Sequence, residues 1–210
     1  MKIYLSKDAT SQLVSYLKNY TQEIIFVENN GTYAAVNNHP DIAMCQLKDY
    51  VFIGDKQKIG HDYPGDIIYN GACVGNYFIH NLKYTDPTLL TKVSDLNLTK
   101  IHVNQGYAKC NIVTVGNDAI ITSDAGIAKA CKPYLDVLTI TPGHIVLPGM
   151  TYGFLGGCSG KVEDTIVFNG DLSKHPDFKN IINFIKSKNL KVHWFSDYEL
   201  TDIGSILVEQ

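Results

Sequence analysis

The sequence contains no arginine: all 18 basic residues are lysine, set against 21 acidic ones. Arginine is the side chain that grips a carboxylate or phosphate through two parallel hydrogen bonds. An anion site in this chain must therefore be built from lysine, backbone N–H groups or a helix N-terminus. The formal net charge is −3 and no basic block occurs. That argues against a nucleic-acid partner, whose binding draws on many contacts to phosphates. Runs of 18 or so apolar residues are also missing, so no membrane-spanning helix is expected. Met1–Asp8 carries charge and no long apolar region, so no secretory signal is expected either. The five cysteines form no Cys-x-x-Cys pair. They read as free thiols of a reducing compartment, which makes the expected location cytoplasmic. No linker or low-complexity tract divides residues 1–210, which are expected to form one domain with a substantial core.

What the chain does have is a recurring unit. Each copy opens with a short apolar or alternating run read as a strand: Glu23–Val27, Asp66–Asn70, Lys100–Asn104, Asp136–Ile140 and Leu190–Phe195. A polar or glycine-bearing segment follows, then a candidate hairpin. The pairs are Ile42–Leu47 with Tyr50–Gly54, Gly71–Gly75 with Tyr77–Asn81, Cys110–Val115 with Ala119–Ser123, and Gly160–Glu163 with Thr165–Gly170. Their turns carry Lys48-Asp49, Gly75-Asn76, Gly116-Asn117-Asp118 and Glu163-Asp164, residue types that suit tight turns.

A helix usually comes next. Asp86-Pro87 caps one carrying Leu89, Leu90 and Val93; Ser123 or Asp124 caps one with Ile127, Ala128 and Cys131; Ser173 opens one with Phe178, Ile181, Ile182 and Ile185. The first unit is the exception, since Asp55–Gly60 is too short for a good helix. The last unit lacks its second strand and helix, yet Met1–Leu5 reads as a strand, followed by Leu13, Val14 and Leu17 at helical spacing. Pairing of the N- and C-terminal strands would complete it and close a ring. Five units in 210 residues average 42 residues each, within the range of repeat architectures.

This organisation resembles the pentein superfamily, the five-bladed pseudosymmetric α/β propeller of the guanidino-group-modifying enzymes. Closest is an uncharacterised bacterial family of that fold. His39-Pro40-Asp41 resembles the superfamily's substrate-side acidic motif. Asn70-Gly71-Ala72-Cys73 resembles its Glu-Gly-Gly-Asp segment. Ala119–Ala130 resembles the third-unit strand and helix of dimethylargininases, and Leu200–Ser205 their C-terminal catalytic segment. The resemblance implies a site at the mouth of the central axis. In the enzymes a C-terminal Cys attacks the guanidinium carbon, a third-unit His moves protons, and carboxylates hold the cation. This chain departs at both key places. It has no Cys after Cys158, and it offers Tyr107 or Lys109 where the His is expected.

The segments before each inner strand hold equivalent places around such an axis. They contribute His39, Asp41, Asn70, Cys73, Tyr107, Lys109, Cys110, Cys158, Ser159 and Asp202 as ligand-binding candidates. With Asp41 and Asp202 as carboxylates, a small polar or cationic ligand, guanidino- or amino-acid-like, is the leading expectation. A relocated nucleophile, Cys110 or Cys158, is the enzymatic alternative. A protein-interaction module is a third. Cys73, Cys110, Cys158 and His39 could hold a soft metal, but the tight local ligand spacing of metal sites is missing and Cys also suits a crowded axis by its size. No metal or cofactor is therefore expected. The Gly153–Gly160 segment lacks the Lys-Ser ending of a phosphate loop. Its glycines suit close backbone approach, and Ser159 and Lys161 could still meet an anion there.

Overall fold

Fourteen short strands, gathered into five small sheets, and six helices make up the computed structural model, which describes residues 1–210. The architecture is mixed α/β, and the sheets stay separate and do not merge into a closed barrel. Three sheets follow one plan: an antiparallel hairpin, a helix, and a third strand laid parallel to the second. The first such sheet contains β5 (Ala72–Val74), β6 (Tyr77–His80) and β7 (Thr99–His102), with α3 (Pro87–Asp95) between β6 and β7. The second contains β8 (Val113–Val115), β9 (Ala119–Thr122) and β10 (Asp136–Thr139), with α5 (Ala125–Cys131). The third contains β11 (Ser159–Val162), β12 (Thr165–Phe168) and β13 (Lys191–His193), with α6 (Phe178–Ser187).

The two ends of the chain make a fourth sheet on the same plan. β1 (Lys2–Ser6) pairs antiparallel with β14 (Leu207–Glu209), Ile3 standing opposite Val208, and parallel with β2 (Ile24–Val27) across α1 (Ser11–Leu17). The fifth sheet is the hairpin of β3 (Met44–Leu47) and β4 (Tyr50–Ile53) alone. The inner strands neighbour one another in the cyclic order β3, β5, β8, β11, β14 and back to β3.

Local chemistry explains these elements. The middle strands β9 and β12 are buried along their whole length, which is why Ala-Ile-Ile-Thr and Thr-Ile-Val-Phe read as nearly unbroken apolar runs. The hairpin turns are left-handed at Lys48, Gly75, Gly116 and Glu163. Helices start where an oxygen meets the free N–H groups of the first turn. Asp86 accepts from the N–H groups of Thr88 and Leu89, Asp124 (not Ser123) from Ile127, and Thr10 from Leu13. Each helix then buries one stripe against its sheet. In α6 the stripe is Ile181 and Ile185, both fully buried with Ile166 and Phe168. Truncating either to Ala would cost about 2–5 kcal/mol.

Three local expectations are corrected. Asp66–Asn70 is not a strand: Gly65–Ile67 forms a single 3-10 turn. The fully buried Tyr69 ring instead lies over Gly54 at the end of the β3–β4 hairpin, and its hydroxyl accepts from the Asp55 N–H. That packing takes the place a third strand has in the other sheets. Cys110 and Asn111 belong not to a strand but to the helical turn α4 (Ala108–Asn111). Ser173 lies in a separate 3-10 turn capped by Asp171, and the helix proper begins at Phe178.

Candidate functional site

The segments that precede the inner strands do converge. His39 ends a turn leading into the short helix α2 (Pro40–Ala43), which carries Asp41. Asn70 holds two segments together. Its Nδ2 donates to the Asp41 carbonyl (3.0 Å) and the Cys110 sulfur (3.3 Å), while its Oδ1 accepts from the N–H groups of Lys109 (2.9 Å) and Cys110 (3.3 Å). Asp41 Oδ2 accepts from the Cys110 thiol at 3.1 Å and from the Ser205 hydroxyl at 2.7 Å. Lys109 Nζ donates to Ser205 Oγ (3.0 Å) and the Gly156 carbonyl (3.4 Å). Asp41, Asn70 and Ser205 are fully buried. The result is a buried polar plug, assembled from α2, the loop before β5, α4 and the loop before β14.

Burial dominates the electrostatics of this plug. It pushes the Asp41 carboxyl up, opposed by nearby His39, and it pushes the Lys109 amine down, opposed chiefly by Asp41. It pushes the Cys110 thiol well up, reinforced by the Asp41 charge. A thiol held this way is a hydrogen-bond donor and not a ready nucleophile. Cys158 is equally buried, donates to the Leu155 carbonyl inside an apolar cluster, and is also pushed well up by burial.

On one side of the plug lies a cavity of about 470 Å³ whose lining includes Asp8, Tyr33, His39, Leu147, Thr201 and Asp202. Asp202 sits at its wall. One carboxylate oxygen accepts from the Phe154 N–H (2.9 Å), the other from the Gly204 N–H (3.0 Å). Burial still pushes its carboxyl up to about 6, against the pull of those two N–H groups. His39 Nδ1 stands 3.8 Å from Asp202 Oδ1, too far for a hydrogen bond, and has no other partner. Burial holds this imidazole below its ordinary value and so favours the neutral form. Two glycines make the fit possible. A Cβ at Gly157 would lie 2.1 Å from Asp202 Oδ1, and one at Gly204, whose φ is +72°, would lie 2.1 Å from the His39 Cβ.

On the other side a channel of about 520 Å³ runs between the inner strands, and Cys73, Lys109 and Ser159 line it. The ten expected residues are thus divided. His39 and Asp202 face the first cavity, Cys73, Lys109 and Ser159 the second, and Asp41, Asn70 and Cys110 form the plug between. Cys158 lies in the core. Tyr107 stands apart, hydrogen-bonded to Asp66 and, at 2.9 Å, to the Tyr33 hydroxyl on the wall of the first cavity. The three thiols do not share a site, and no group of three His, Cys, Asp or Glu side chains has metal-binding geometry. Sequence reading missed Ser205, Tyr33 and Asp66. Of these only Ser205 had a signal, its place at the end of the Leu200–Ser205 segment.

No helix is long and apolar enough to cross a membrane. No curated protein and no solved structure matches the chain. A family model described as a family of unknown function (DUF6873) matches residues 46–207, and the chain belongs to that family.

Proposed function

We propose that this chain is a five-bladed α/β propeller of the pentein kind that binds a small cationic ligand in the cavity beside His39 and Asp202. The fold reading is supported by four sheets on one hairpin–helix–parallel-strand plan, a fifth reduced to its hairpin, and the pairing of β1 with β14. The ligand reading rests on one observation. The 470 Å³ cavity is lined by two carboxylates, Asp8 and Asp202, and by no lysine.

A buried carboxylate without a counter-charge is costly, and a cation brought beside it offsets that cost. Asp202 would supply the charge. His39 Nδ1 would add a hydrogen bond whose direction follows its tautomer, and Tyr33 a hydroxyl and an aromatic face. Guanidino or amino compounds of amino-acid size fit this lining.

The test is isothermal titration of the chain with guanidinium, agmatine and arginine, each against a neutral urea analogue. Saturable heat for a cation, lost in Asp202→Asn, is the expected result. No heat from any of the three, or equal heat from the neutral analogue, would sink the reading.

A further inference from the structure

The channel on the far side of the plug carries the opposite sign. Its lining includes Lys48, Lys109 and Lys161 against a single acidic side chain, Asp49. The remaining polar lining includes the side chains of Gln46, Asn76, Thr114 and Asn117, which can donate hydrogen bonds, and Ser159, whose hydroxyl proton goes to the Gly156 carbonyl. These residues come from four hairpins, so the site exists only because the inner strands stand around one axis.

Lys109 forms the floor. Its ammonium has three donors, and the protein provides two acceptors, Ser205 Oγ and the Gly156 carbonyl. One donor of this half-buried cation is left without a protein partner. Lys48 meets only the neutral Asn76 Oδ1, at 3.1 Å, and neither Lys48 nor Lys161 takes part in an ion pair. The absence of a side chain at Gly160 keeps the lining close: a Cβ there would lie 2.2 Å from the Ile206 carbonyl oxygen.

We propose that this axial channel is a second binding site, for a compact anion bearing phosphate or carboxylate groups, held by Lys109 at the floor and by Lys48 and Lys161 at the mouth. The site is separate from the His39–Asp202 cavity and does not depend on what that cavity binds. Without arginine, recognition relies on point charges and amide donors, so affinity must fall steeply as salt is raised. An anion would also stabilise the charged form of Lys109, which burial opposes.

The experiment is titration of the full chain with inorganic phosphate and, separately, with citrate, at constant ionic strength. Saturable binding by at least one is expected, with a Kd of about 1 mM or tighter. Binding of phosphate alone marks a phosphoryl site, and binding of citrate alone a carboxylate site. The double variant Lys48→Gln, Lys161→Gln changes only exposed side chains and should keep its fold. It should bind at least about tenfold more weakly, the equivalent of 1.4 kcal/mol. Asp202→Asn, which removes a charge felt by Lys109, should still bind the anion saturably while it loses the cation, which separates this site from the other cavity. No saturable binding by either anion, or undiminished affinity in the double variant, would overturn the proposal. Lys109→Met, if it folds, should abolish binding.

Discussion

The Ser205 hydroxyl reaches Asp41 Oδ2 over 2.7 Å, joining two residues 164 positions apart in the chain. Ser205 adopts a φ of +71°, a region that side-chain-bearing residues enter at a cost. The strain is held because the hydroxyl bridges the Lys109 ammonium and the Asp41 carboxylate. Ser205→Ala keeps the strain and removes the bridge, leaving Asp41 Oδ2 with only the Cys110 thiol and the Lys109 ammonium with only the Gly156 carbonyl. It should destabilise the chain by about 1–3 kcal/mol, read from urea unfolding. Ser205→Gly loses the same bridge but relieves the backbone, so it should cost less than the alanine variant.

The thiols offer a second prediction. Cys45, Cys110 and Cys158 are buried, and burial raises the thiol of each. Cys131 is buried as well, pushed up to about 11. Cys73 alone is half-buried, on the channel wall. Native protein treated with a thiol-reactive dye near neutral pH should therefore label at no more than one residue, Cys73, and slowly. The other four should react only on unfolding. Rapid stoichiometric labelling at Cys110 would instead restore the relocated-nucleophile alternative.

The legible parts of this chain were those written in local chemistry. Turn residues and apolar runs marked the hairpins, and Asp86-Pro87 marked a helix start within one residue. The pairing of β1 with β14 was readable because the last unit lacked the parts that the first residues possess. Asp66–Asn70 misled because its pattern is strand-like while its fate is set by Tyr69 packing over Gly54, a contact between separate segments. The gathering of axial segments was legible too, but their division was not. Whether a side chain leaves toward one cavity or the other depends on single backbone choices such as the helical turn at Ala108–Asn111, which aims Lys109 at the channel while Tyr107 faces Tyr33.

The sealing of the ring can be tested by packing. Leu207 is fully buried in the cluster that holds Val51 and Phe78, while its backbone pairs with Tyr4. Leu207→Ala should cost about 2–5 kcal/mol. Glu209→Gln, at the last residue of β14, removes the charge that faces partly exposed Lys2 but keeps an oxygen to accept from the Val51 N–H, so it should change stability by less than about 1 kcal/mol. Equal, small effects from both would mean that the last strand is not part of the core.

The pH dependence of cation binding follows from Asp202. Burial raises this carboxyl to about 6, and a cation binds its charged form. Affinity should therefore be level above about pH 7 and fall as pH drops through 6, by about tenfold for each further unit. His39, held below its ordinary value by burial, sharpens the loss only where it gains a proton at lower pH. Linkage also requires the free chain to favour protonated Asp202. Its stability relative to the Asp202→Asn variant should decline as pH rises toward 6 and then level off. Titration at several pH values, paired with urea unfolding of both proteins, measures the two trends. Cation affinity independent of pH between 5 and 8 would remove Asp202 from the site.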